Sequence, residues 1–374
     1  MAVPPEPPAL DAALESYLLA LLSDSNLPTG GFVASSGLEA WIQHGYLSLA
    51  PSLSTAAPAD VTGDAAALLS FVAHSLHSYA RLNAPFLVAA HEAVSTMRSA
   101  PPGEGASVVE DALDAVLRAD NLCEAFTLNH VARRASVAQG GALLTLYDRA
   151  FAPPSSSSPS SASSAASSAA APGLSTSAQV DARVGDLVRR YRARIRRTAN
   201  PETYGAGAGK GEEGEERAYG HMSVAFAVLT AGVGMSCATA LPLSLFLHAR
   251  SLLSSAVRLN TVGPYAAHRM LLWDVRPLVD RAVEAVSGGM RDGTGEEREL
   301  GEEEKEEKEV QEEDDDWWIA DPFWAPLWAD SPLSASHTPP RRKGADVGEP
   351  VTTWPLGEIV ASRHDQLFSK VFNS

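Results

Sequence analysis

Cysteine is nearly absent from this chain: its 374 residues hold two, Cys123 and Cys237, far apart and in no CxxC pair. That excludes a disulfide framework and a thiolate zinc knuckle, and it fits a reducing compartment. Basic charge is also scarce, with 29 Lys and Arg against 46 Asp and Glu, a net charge of −17. Such a chain is repelled by phosphate backbones, so no nucleic-acid partner is expected. The opening MAVPPEPPALDAALE has acids and prolines where a secretory signal needs a basic stretch and an apolar run, and the expected location is cytoplasmic.

Several catalytic signatures are missing too. No GxSxG elbow occurs; the serines of Val33-Ala34-Ser35-Ser36-Gly37 lack the flanking glycines. Gly209-Lys210-Gly211-Glu212-Glu213-Gly214 meets the dinucleotide pattern in letters only, because its glutamates repel a pyrophosphate and no strand precedes it. No P-loop is present, since Gly211 follows Gly209-Lys210. The one close histidine pair, His74 and His77, lacks a third ligand and reads as two helix-surface histidines. No catalytic residue, cofactor or metal site is assigned.

What is present is apolar content, 45% of residues with a mean hydropathy of −0.07, enough for a sizeable core. Apolar residues recur at helical spacing over 10–22, 64–81, 108–122, 128–138, 180–197, 221–233, 240–257 and 265–286. Gly140-Gly141 reads as the stop of the fourth of these, and Ser236 as the cap of the seventh. No window alternates in the manner of a half-buried strand, so the expected fold is all-α: a single-domain bundle of about ten helices over 10–374. Residues 222–247 carry no charge, but Gly232, Gly234, Ser236 and Pro242 interrupt them, and they read as two buried helices, not a membrane span.

Three segments read as insertions without a core of their own. Residues 153–179 are almost wholly Ser, Ala and Pro, 199–218 are rich in Gly and Glu, and 288–351 join an acidic run to a Trp- and Pro-rich stretch. Residues 296–316 alone supply 14 acids against three bases. The counterpart is DARVGDLVRRYRARIRR at 181–197, with seven arginines against two aspartates. It reads as a solvated helix face with Val184, Val188, Tyr191 and Ile195 turned inward, and alternatively as a dock for an acidic partner or for the chain's own Glu-rich loop.

Four segments, taken together, resemble the UreF family of urease accessory proteins. They are LSDSNLPTGGFVASSGLEAWIQHG (22–45), LNHVARRASVAQGGALLTL (128–146), the stretch 219–272 with GHMSVAFAVLTAGVGMS and LLSSAVRLNTVGPYAAHRMLL, and EIVASRHDQLFSKVFNS (358–374). The resemblance implies a cytosolic, non-catalytic, homodimeric adaptor. In that family it joins a UreD/UreH-type accessory protein and the GTPase UreG on apo-urease, for delivery of nickel to the active-site carbamylated lysine. By the same resemblance Gly30, Gly31, Phe32, Leu38 and Glu39 build the dimer interface. Arg258, Arg363, His364, Phe368, Lys370 and Phe372 meet the other partners, the last five on a tail whose apolar residues fall at roughly helical spacing. Tyr219 stands where the family has an acid, Gly263-Pro264 replace its GQ-type turn, and Lys370-Val371-Phe372 replace Arg-Leu-aromatic. A helical enzyme and a structural adaptor unrelated to nickel are the alternative readings.

Overall fold

The structure is a computed structural model that describes residues 12–24, 27, 34–49, 63–101, 105–152, 178–200, 217–291 and 350–373. Gly30, Gly31 and Phe32, and most of the three expected insertions, lie outside the described residues. Those described are all-α, with no strand among them. In order the helices are α1 (Ala12–Leu22), α2 (Leu38–Gln43), α3 (Tyr46–Leu49), α4 (Gly63–Ser99), α5 (Gly105–Phe126) and α6 (His130–Leu146). They continue as α7 (Ala178–Ala199), α8 (Met222–Gly232), α9 (Cys237–Arg258), α10 (Pro264–Met270), α11 (Arg276–Arg291) and α12 (Pro355–Ser362). A π turn, Tyr147–Phe151, extends α6, and a second, Leu271–Val275, joins α10 to α11.

One helix organises the bundle. Every residue of α8 is buried, as a helix apolar on all sides must be, and α4, α5, α6, α7 and α9 pack around it. The second apolar helix, α9, is long and apolar enough to cross a bilayer, yet most of it is buried within the bundle. Between the two the expected break is present: the Ser236 hydroxyl accepts the Thr239 amide at 3.2 Å and caps α9. On α7, Val184, Val188 and Tyr191 are buried as the spacing requires, while Arg190 and Arg192 reach Glu110 and Asp148 on neighbouring helices. Arg183 departs from the solvated face; it is buried and donates to the carbonyls of Ala100 and Pro101 at 2.8 and 2.7 Å.

Two helices outrun their local stop signals. The periodic segment 64–81 is the first half of α4, which continues through Pro85 to Ser99. Proline at 85 has no N–H for the carbonyl of Arg81, a loss that ordinarily breaks a helix. Here the amide of Val351, 270 residues away in sequence, donates to that carbonyl at 3.3 Å, and Phe86, Leu87, Ala90, Val94 and Met97 are buried beyond it. Packing therefore carries the helix past the proline, and the vacated carbonyl fixes where the chain re-enters the fold.

The glycine pair is the second case, because α6 runs straight through Gly140-Gly141 instead of ending there. A Cβ on Gly140 would sit 2.0 Å from the carbonyl oxygen of Gly220 and 2.9 Å from that of His221, whereas one on Gly141 would meet nothing within 4 Å. Gly140 is a close approach of two backbones, not a stop. Gly141→Ala is accordingly expected to stabilise the fold by about 0.5–1 kcal/mol, and Gly140→Ala to destabilise it by about 1–3 kcal/mol, both read by urea unfolding. Equal effects at the two positions would contradict this packing.

Candidate partner-docking site

The six residues expected to meet partners converge on the C-terminal segment 350–373 and the surface beneath it. The segment is pinned along its length. Thr353 meets His77 at 3.0 Å, and the Trp354 ring lies 5.1 Å from the rings of both Trp41 and Phe71 and 5.7 Å from that of His74. This corrects the reading of His74 as a surface histidine: it is 8% exposed and helps to seat the returning chain. Among the described residues no group of three or more His, Cys, Asp or Glu is placed to hold a metal.

Beyond α12 a 3-10 turn, Arg363–Gln366, turns the tail back over α2. Helical spacing had grouped Ile359, Leu367, Phe368, Val371 and Phe372, but the helix ends at the turn and the rest of the tail is extended or bent. What holds it is Glu39. Its carboxylate, wholly buried, accepts the backbone amides of Val371 at 2.6 Å and Phe372 at 3.1 Å, and pairs with His364 Nε2 at 3.1 Å. Gln43 adds a bond to the carbonyl of Ser369 at 2.8 Å. Gly37 admits this packing, since a Cβ there would lie 2.7 Å from that of Ala361, and its φ of +86° suits glycine.

A second clamp lies outside the first. Arg134 grips Asp365 through two nearly parallel bonds of 2.9 and 2.8 Å, with Lys370 Nζ at 3.8 Å and His130 at 3.4 Å from the same carboxylate. The Arg134 bonds pull the Asp365 carboxyl down to about 2. The guanidinium of Arg258 lies 4.8 Å over the Phe372 ring, and burial lowers its pKa.

The expected site residues therefore divide. Arg363, Phe368 and Lys370 face solvent, Phe368 fully, and Val371 joins them at 65% exposed. His364 and Phe372 are buried, at 0% and 3%, and serve the chain's own packing. Arg258 is intermediate. Of the residues expected at a dimer interface, Leu38 and Glu39 are wholly buried within the chain, so their side chains have no surface to offer a second copy. Reasoning from sequence missed Arg134, Gln43 and Asp365 as the holders of the tail. Glu39 carried a signal: an acid in the middle of Leu38-Glu39-Ala40-Trp41 has to be satisfied somewhere inside.

The comparisons with known proteins fit this architecture. The family model described as UreF matches residues 62–273, more than half of the chain. Urease accessory protein 6 of Cryptococcus neoformans var. grubii serotype A (strain H99) is 35% identical over 377 residues, covering 97% of this chain and 98% of that protein. The second match covers nearly the whole chain, well beyond the stretch that the family model matches. With an all-helical core, a family match over most of that core and a relative alike from end to end, the chain belongs to the UreF family of urease accessory proteins.

Proposed function

We propose that this chain is a non-catalytic, cytoplasmic adaptor of urease maturation. It joins a UreD/UreH-type accessory protein and the GTPase UreG into a complex that docks on apo-urease for delivery of nickel, which is cargo and not a resident cofactor. Two copies meet through residues 30–32. The observation that supports this reading is the tail itself: two clamps hold its backbone while Phe368 and Val371, with Arg363 and Lys370 beside them, are turned to solvent. A soluble chain that fixes an aromatic and two cations in this way has a preorganised anchor for a partner, and preorganisation lowers the entropy cost of binding.

A single substitution tests docking apart from folding, which deletion of residues 368–374 cannot do, since that removes buried Phe372 as well. Phe368→Ala removes a side chain that buries nothing in the chain. It is expected to leave the melting temperature unchanged while weakening copurification with the UreD/UreH-type partner by about 30-fold or more, the loss typical of an aromatic anchor. Undiminished copurification together with full urease maturation would remove the tail from the docking surface.

A further inference from the structure

Behind the C-terminal segment lies a cleft of about 160 Å³, walled by α4, α6, α9, the loop before α2, and the α12 region. Among the described residues its lining contains no lysine or arginine. The polar groups there are hydroxyls and amides, among them Ser75, Ser78, Ser244, Asn83 and Gln139. Two aromatic rings stiffen it: Tyr79 and His248 stack at 4.0 Å with their planes 7° apart, and His248 Nε2 meets the Ser75 hydroxyl at 3.0 Å. Burial holds His248 neutral, its pKa pulled down to about 3, and pushes Tyr79 up to about 12. The one carboxylate among the described lining residues, Glu358, has its pKa raised by burial. Trp354 adds an aromatic side chain to the wall.

We propose that this cleft is a binding site for a small neutral molecule that has an apolar side and a donor–acceptor end, an amide or an alcohol of about six heavy atoms. The size follows from the volume, since a cavity of about 150 Å³ accommodates benzene. Neutrality follows from the lining. An anion would enter without a cation to meet it, and a cation would find only a carboxyl that burial biases toward its uncharged form. Convergent hydroxyls and amides over an otherwise apolar surface satisfy a ligand that both donates and accepts. Trp354, Glu358 and Ala361 form one wall of the cleft, so its occupant touches the segment that carries the tail. A ligand bound there stabilises the seated tail by mass action, which links cleft occupancy to the surface beyond it.

The inference does not rest on the adaptor reading, and its test needs no partner protein. Butyramide, butyrate and butylammonium have nearly the same size and differ in charge. Titrated into the full chain and followed by the ring protons of His248 and Tyr79, butyramide is expected to bind in the millimolar range, and the two ions at least about tenfold more weakly. Ala135→Phe, which fills the lining from α6, is expected to abolish the butyramide shifts while circular dichroism remains that of the parent. The proposal is overturned if the three probes bind alike, if butyramide shifts neither ring at 50-fold above millimolar (about 50 mM), or if a folded Ala135→Phe chain binds it undiminished.

Discussion

Glu39→Ala is expected to cost the fold about 3–5 kcal/mol, since it leaves several buried donors unsatisfied at about 1–3 kcal/mol each. Three donors converge on that carboxylate within 3.1 Å, the amides of Val371 and Phe372 and the His364 imidazole, and neither Glu39 nor His364 is exposed at all. Alanine leaves all three without an acceptor in a place water does not reach. Glu39→Gln keeps the shape and one oxygen, but its amide group faces donors, so an intermediate loss is expected. Urea unfolding followed by circular dichroism measures the stability, and limited proteolysis reports the release of the tail. A loss below about 1 kcal/mol would show that the carboxylate is not what holds the tail.

The second large effect is expected at Asp120, on α5. This carboxylate is wholly buried and accepts the backbone amides of Tyr219, Gly220 and His221, at 2.6, 2.9 and 2.9 Å. These amides lead into α8, whose N-terminus carries the positive end of the helix dipole. Asp120 thus acts as the anion that a helix start attracts, supplied from another helix. Beside it, His221 bridges Glu124 at 2.9 Å and Ser136 at 3.1 Å, and Ser136 also accepts the Met222 amide. The same stretch presses against Gly140. Asp120→Ala is expected to lose about 3–5 kcal/mol and to raise hydrogen exchange first at residues 219–225. Uniform exchange across the bundle, or a loss within about 0.5 kcal/mol, would contradict this role.

Where a helix owes its existence to its own residues, the sequence was readable. The inward face of α7, the Ser236 cap and the break between α8 and α9 are local patterns, and each is present in the structure. Gly140 misled because glycine is a genuine local stop signal, whereas here it admits the close approach of a distant backbone, that of Gly220; at Pro85 too a distant backbone, that of Val351, takes up the carbonyl the proline leaves free. The tail was misread because helical spacing describes a continuous helix, and here the set Ile359 to Phe372 spans a turn. Arg134 and Asp365 meet only after folding, so nothing in their spacing marks them. Residues 30–32, assigned to the dimer by resemblance, remain a proposal of the same kind as the docking role of Phe368.

The bond between Glu39 and the tail also has a consequence in time. The Phe372 amide and the carboxylate it needs are 333 residues apart in the chain. Ribosomes add about 5–20 residues per second, so Glu39 waits about 20–70 s for its donors. Until then it is a charge in a surface destined to be dry, and water must remain there. Phe368 cannot be held in place before the latch forms, so in the adaptor reading a nascent or prematurely terminated chain cannot occupy a partner. In the adaptor reading, docking through Phe368 therefore waits until residues 371 and 372 have been made.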